Sequence, residues 1–215
     1  MADCCNDKAC EIDALRGRQS STLKIVLGIN AVMFVVELTA GLLGNSISLV
    51  ADSLDMLGDA MVYGFSLYVV ARSATMKARA ALLKGIIMAA FGFFVLGQAI
   101  YRIAYPQLPV FETIGAIGLL ALAGNGTCFF RVWRGRADGS KVSSVWLCSR
   151  NDIIANVSVL FAAVGVWFTR SGWPDILIGL ALAALFLRSA LHVLRGARNE
   201  LRAVRTKNDP NNFNV

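Results

Sequence analysis

The chain has 215 residues, 56% of them hydrophobic and only 16% charged, with a formal net charge of +7. Soluble domains run at about 45–50% apolar and about 25% charged, so this composition excludes a disordered chain and, despite the basic surplus, a nucleic-acid binder. Four prolines and five cysteines exclude collagenous and disulfide scaffolds, which leaves a polytopic membrane protein, in keeping with a mean hydropathy of +0.60.

The first 24 residues are polar and form an arm with Cys4, Cys5 and Cys10 in the run CCNDKAC. Its closely spaced thiols suit one soft cation, with Asp7 as a further oxygen; a tail with incidental cysteines reads equally well. The first apolar stretch begins late and has no small-residue cleavage site, so a cleaved signal peptide is not expected. Six apolar spans follow: Ile25–Leu43, Ile47–Ala71, Leu82–Ala104, Val110–Phe130, Val145–Phe168 and Ile176–Leu194. Each has roughly 19–25 residues, enough at ~1.5 Å per residue to cross a ~30 Å hydrocarbon core. They lack strand-like alternation, and helices satisfy their own backbone hydrogen bonds in lipid, so the predicted fold is all-α with six transmembrane helices. The run KNDPNNFNV at the end of the tail is polar and is expected to be disordered. The predicted organisation is a cytoplasmic arm (1–24), a six-helix transmembrane domain (25–195) and a short cytoplasmic tail (196–215), with no room for a soluble domain.

Lys and Arg concentrate in the arm, in the second and fourth loops and in the tail. The loops of the opposite side carry only Arg102 and Arg170, and Arg150 and Arg188 fall inside spans. That asymmetry predicts that both termini are cytoplasmic. Thiols there stay reduced, so a structural disulfide is not expected.

A carboxylate at mid-bilayer costs about 2.5–3.5 kcal/mol, so the acids inside the spans demand a reason. The second span holds Asp52, Asp55 and Asp59. At ~100° per residue Asp55 and Asp59 lie about 40° apart and Asp52 and Asp59 about 20° apart, one stripe of a helix. The fifth span places Cys148 and Asp152 four apart, with Asn156 one turn further. In the first span Asn30 and Glu37 share a face. Asn30 and Asn156 fit interhelical hydrogen bonding as well as a functional role. Asp52, near the outer end, is expected to be solvated or to cap its helix. Asp55 and Asp59 lie deeper, where like charges at i, i+4 repel unless a cation or proton sits between them. Two carboxylates from one helix and a thiol plus a carboxylate from another make a four-ligand set, Asp55, Asp59, Cys148 and Asp152. It suits a tetrahedral divalent metal such as zinc or cadmium, the thiolate favouring softer ions and the carboxylates harder ones such as manganese.

The stretch from Glu37 through Gly41, Gly44, Ser46 and Ser48 into Ala51-Asp-Ser-Leu-Asp55-Met-Leu-Gly-Asp59 resembles the first-to-second-span signature of the cation diffusion facilitator family. In that family an A-D-x-x-[HD]-M-x-x-D run follows a glutamate, glycines and a serine. Cys148-Ser-Arg-Asn-Asp152 stands where the family has [HD]-x-x-x-D, and Gly172-Trp-Pro-Asp175-Ile resembles its entry to the sixth helix. The resemblance covers about residues 20–200. It implies metal-ligand roles for Asp55, Asp59 and Asp152, while Cys148 departs from the usual His or Asp and also reads as a packed core residue. The chain looks like a short form without the family's usual cytoplasmic C-terminal domain, which dimerises and binds metal. His192 is expected at the cytoplasmic end of the sixth span as an interfacial residue.

The resemblance implies an efflux transporter for a divalent transition metal, zinc or cadmium by preference with cobalt, iron or manganese as alternatives. It would exchange metal for protons with no prosthetic group, no enzymatic activity and no nucleic acid, as a homodimer in a bilayer such as the bacterial inner membrane. A membrane receptor that binds metal without transporting it is a second reading. An intramembrane aspartyl protease is a third, but its YD and GxGD motifs are absent, since Gly58-Asp59 lacks the earlier glycine.

Overall fold

A computed structural model describes the backbone of residues 2–69, 74–134 and 142–207, and the side chains of 23–65, 78–131 and 152–201 together with Ser21, Leu67 and Met76. The described residues form six helices: α1 (Ala2–Leu43), α2 (Ile47–Val69), α3 (Ala74–Ala104), α4 (Phe111–Arg134), α5 (Val142–Thr169) and α6 (Trp173–Lys207).

Local chemistry sets the helix ends. The Gly44 N–H donates to the Ala40 carbonyl at 2.7 Å and the Ser46 N–H to the Gly41 carbonyl at 2.8 Å, which closes α1. Asn45 takes the left-handed conformation at φ 58, which Asn tolerates better than most residues. The chain therefore reverses within Gly44–Ser46. Pro174 sits in the first turn of α6, where its missing N–H is no loss. Two helices run further than their apolar stretches: α1 is continuous from Ala2, and α6 continues past Leu194 to Lys207. Ala197 is still buried there, so the extension of α6 keeps a packed face.

Among the described residues five helices have a stretch long and apolar enough to cross a membrane: Leu23–Leu43, Ala78–Ala104, Phe111–Arg131, Asp152–Thr169 and Trp173–Leu201. Six were expected. The exception is α2, which has the length but carries three aspartates. Its place in the bundle supplies the reason. It packs against α1, α3, α5 and α6, so its acids meet other helices and not hydrocarbon.

The other main pairings are α3 with α6, α4 with α5, α5 with α6, and α1 with α4 and α5. A buried core of Leu49, Val50, Leu54, Ile114, Val159 and Val166 fills the space between them. The outward faces are apolar as well, with Leu43, Phe168, Ile100 and Phe161 exposed. In water such a surface would aggregate, whereas hydrocarbon solvates it.

One joint holds α2 to α6. Asp175, in the first turn of α6, is buried and faces the start of α2. Its Oδ1 accepts from Ser46 Oγ and Ser48 Oγ, both at 2.6 Å, and from the Ser48 N–H at 3.2 Å. Its Oδ2 accepts from the Ile47 N–H at 2.6 Å. The Leu49 N–H donates to Ser46 Oγ at 3.2 Å. The free N–H groups that every helix start presents are thus satisfied here by a carboxylate from another helix. A Cβ on Gly179 would lie 2.9 Å from the Ser48 backbone nitrogen, and one on Gly41 would lie 2.9 Å from that of Val50. The backbones of α1, α2 and α6 meet closely at this end.

Candidate metal centre

The joint fixes a common origin for depth along the helices. At ~1.5 Å per residue Asp55 stands about 12 Å and Asp59 about 18 Å into α2 from Ile47. On α5, Gly165 adjoins Pro174 of the same joint, and Asp152 lies about 20 Å along the helix from it. All three acids therefore sit near the middle of a ~30 Å core. They are partly buried, and each makes an interaction with its surroundings. α2 packs directly on α5, so the expected pair of helices is adjacent and antiparallel. The Cys148 side chain lies outside the described residues, as do those of Cys4, Cys5 and Cys10. Among the described residues no three His, Cys, Asp or Glu side chains come together closely enough to hold a metal ion. The structure thus brings the helices of the ligand set together, and the set of four is not seen assembled.

Asp52 departs from expectation. It is 0% exposed, neither solvated nor at the end of its helix. The cap of α2 is Ser46 with Asp175, which leaves Asp52 to point into the bundle. Glu37 on α1 is also 0% exposed. None of the four carboxylate oxygens of Glu37 and Asp52 receives a hydrogen bond. Asp52 lies within electrostatic reach of Glu37 and of Asp152, so one acid from each of α1, α2 and α5 joins in an electrostatically connected row.

The amides divide. Asn30 Nδ2 donates to the Val26 carbonyl at 2.9 Å and to Cys128 Sγ of α4 at 3.5 Å, the interhelical bonding that was one of its two readings. Asn156 Nδ2 instead donates to the Asp152 carbonyl of its own helix at 2.9 Å. That bond ties Asn156 to the backbone beneath Asp152 and leaves Asn156 Oδ1 buried without a partner. His192 is exposed and lies 15 residues before the end of α6. Sequence reasoning missed the buried state of Asp52 and the capping role of Asp175. No local signal could have found the second, because its partners lie more than a hundred residues away in the chain.

Residues 23–201 match the family described as the cation efflux transmembrane domain. The chain is 25% identical over 199 residues to the metal cation efflux system protein CzcD of Cupriavidus metallidurans, which spans 83% of this chain and 62% of that protein. It is 26% identical over 194 residues to the zinc transporter ZitB of Escherichia coli, across 83% of this chain and 61% of the relative. A cadmium, cobalt and zinc/H(+)-K(+) antiporter of Bacillus velezensis is 24% identical over 178 residues, 75% of this chain and 56% of the relative. The chain therefore spans about three fifths of the length of these relatives.

Proposed function

The chain belongs to the cation efflux family, also called the cation diffusion facilitators, and on that premise we propose that it is an efflux transporter that exchanges a zinc- or cadmium-like divalent cation for protons. The carrying observation is the family match across all six helices, with Asp55, Asp59 and Asp152 at mid-depth on two adjacent helices. In this reading Asp55, Asp59, Cys148 and Asp152 ligate the cargo. The ion enters from the cytoplasmic side, where Lys and Arg concentrate, and displaces protons as it binds, since ligands must be deprotonated. Rocking of the bundle then opens the site outward, where protons compete the metal off. No covalent step is involved.

The same reading makes residues 25–195 the transport unit, 1–24 a metal-capturing arm and 196–215 a tail, in a homodimer of a bacterial inner membrane. The names of the relatives support zinc, cadmium and cobalt as the class of cargo.

Purified protein in proteoliposomes with an imposed pH gradient tests the function. Zinc or cadmium flux should follow the gradient and collapse when a protonophore dissipates it. Metal binding without flux would mark a receptor and overturn the proposal.

A further inference from the structure

Glu37 and Asp52 are not members of the ligand set, although Asp52 lies within electrostatic reach of Asp152, and no hydrogen bond gives them a structural task. They are not caps, because Ser46 and Asp175 cap α2. They are not hydrogen-bonded glue, because none of their oxygens accepts a bond. Both carboxylates are fully buried, and an ionised carboxylate is an acceptor only, costly to bury without a donor or a cation. At ~1.5 Å per residue Asp52 stands about 7.5 Å into α2, and Glu37 about 9 Å before the end of α1. The two helices meet in the Gly44–Ser46 turn, so both acids lie at one depth, within electrostatic reach of each other. That depth is about 10 Å from Asp59 along α2, toward the joint of α1, α2 and α6.

We propose that Glu37 and Asp52 form a second cation site, between the mid-depth acids and the α1–α2 turn, that takes a divalent cation through oxygen ligands alone. The charge matches, since one divalent ion neutralises both carboxylates at a place where water is excluded. The donor chemistry differs from that of the mid-depth set, because carboxylates without a thiol suit harder ions such as manganese. In the transporter reading, on which this role rests, the site lies on the exit path, and a cation leaving Asp55, Asp59 and Asp152 is held there before release.

The test uses the full chain in nanodiscs, titrated with manganese and followed by calorimetry and by Mn(II) electron paramagnetic resonance. In an Asp55→Asn, Asp59→Asn, Asp152→Asn background one manganese ion per chain should still bind. Adding Glu37→Gln should weaken that binding at least tenfold and return the resonance to that of the hydrated ion. In the otherwise native chain Glu37→Gln should remove one bound manganese ion per chain, which keeps the test open if the triple variant does not fold. Manganese binding to the native chain that is indifferent to Glu37→Gln overturns the site and leaves the transporter reading intact. Absence of flux in the native chain would overturn the transporter reading, while the manganese lost with Glu37→Gln still decides whether the site exists.

Discussion

Asp59 and Asp152 are each one ligand and one proton acceptor in the proposed cycle. Asp59→Ala or Asp152→Ala should therefore abolish metal flux at matched protein level, with the affinity falling more than about 100-fold, beyond the 10–100-fold typical of groups that only orient a ligand. Wild-type flux in either variant would remove the mid-depth site. In the proposed ligand set Cys148 is the residue that sets metal choice. Cys148→Asp should shift preference from cadmium toward manganese, and Cys148→His toward zinc; competition assays with paired metals would show it, and unchanged relative rates would make Cys148 a packing residue. The spacing of these residues was legible in the sequence because helical periodicity alone puts i and i+4 on one face. The burial of Asp52 was not, because distance from a helix end says nothing about what covers that end.

The consequential contact between elements is the carboxylate of α6 on the start of α2. Asp175→Ala leaves the Ile47 and Ser48 N–H groups buried without acceptors, and each such orphan costs about 1–3 kcal/mol. The variant should lose about 2–4 kcal/mol of unfolding stability in detergent, with faster amide exchange confined first to the opening turn of α2. Gly179→Val should destabilise through a different route. Its Cβ would stand 2.8 Å from the Ile47 carbonyl carbon, and backbone cannot step aside, so α2 and α6 must separate at a cost of about 1–3 kcal/mol. A Gly179→Val protein as stable as the native one would mean that this crossing is loose.

For the whole molecule, coupling through the ligands fixes the sign of the pH response. Every proton displaced by the cation makes binding steeper with pH, so affinity should rise by about tenfold per pH unit per proton displaced, as long as the ligands are still protonated in the free protein. Zinc titration at mildly acidic and mildly alkaline pH checks this, and a flat affinity would argue against exchange with protons. The same competition gives a transporter its direction, because acid on the receiving side strips the metal from the site.

The sequence by itself determined the helical class, the reversal at Gly44–Ser46 and the placing of the acids of α2 on one stripe. Apolar run length, turn chemistry and side-chain periodicity are local properties, and residues a few positions apart determine them. Helix ends moved only where an apolar criterion gave out before helix propensity did, as in α6 beyond Leu194. Tertiary structure alone decided which acids are covered. Asp52 became a fully buried carboxylate because α1 supplies Glu37 beside it and α6 supplies Asp175 as the cap of α2 in its place. Both neighbours come from other helices, and packing between distant segments is the one quantity that a reading along the chain does not contain.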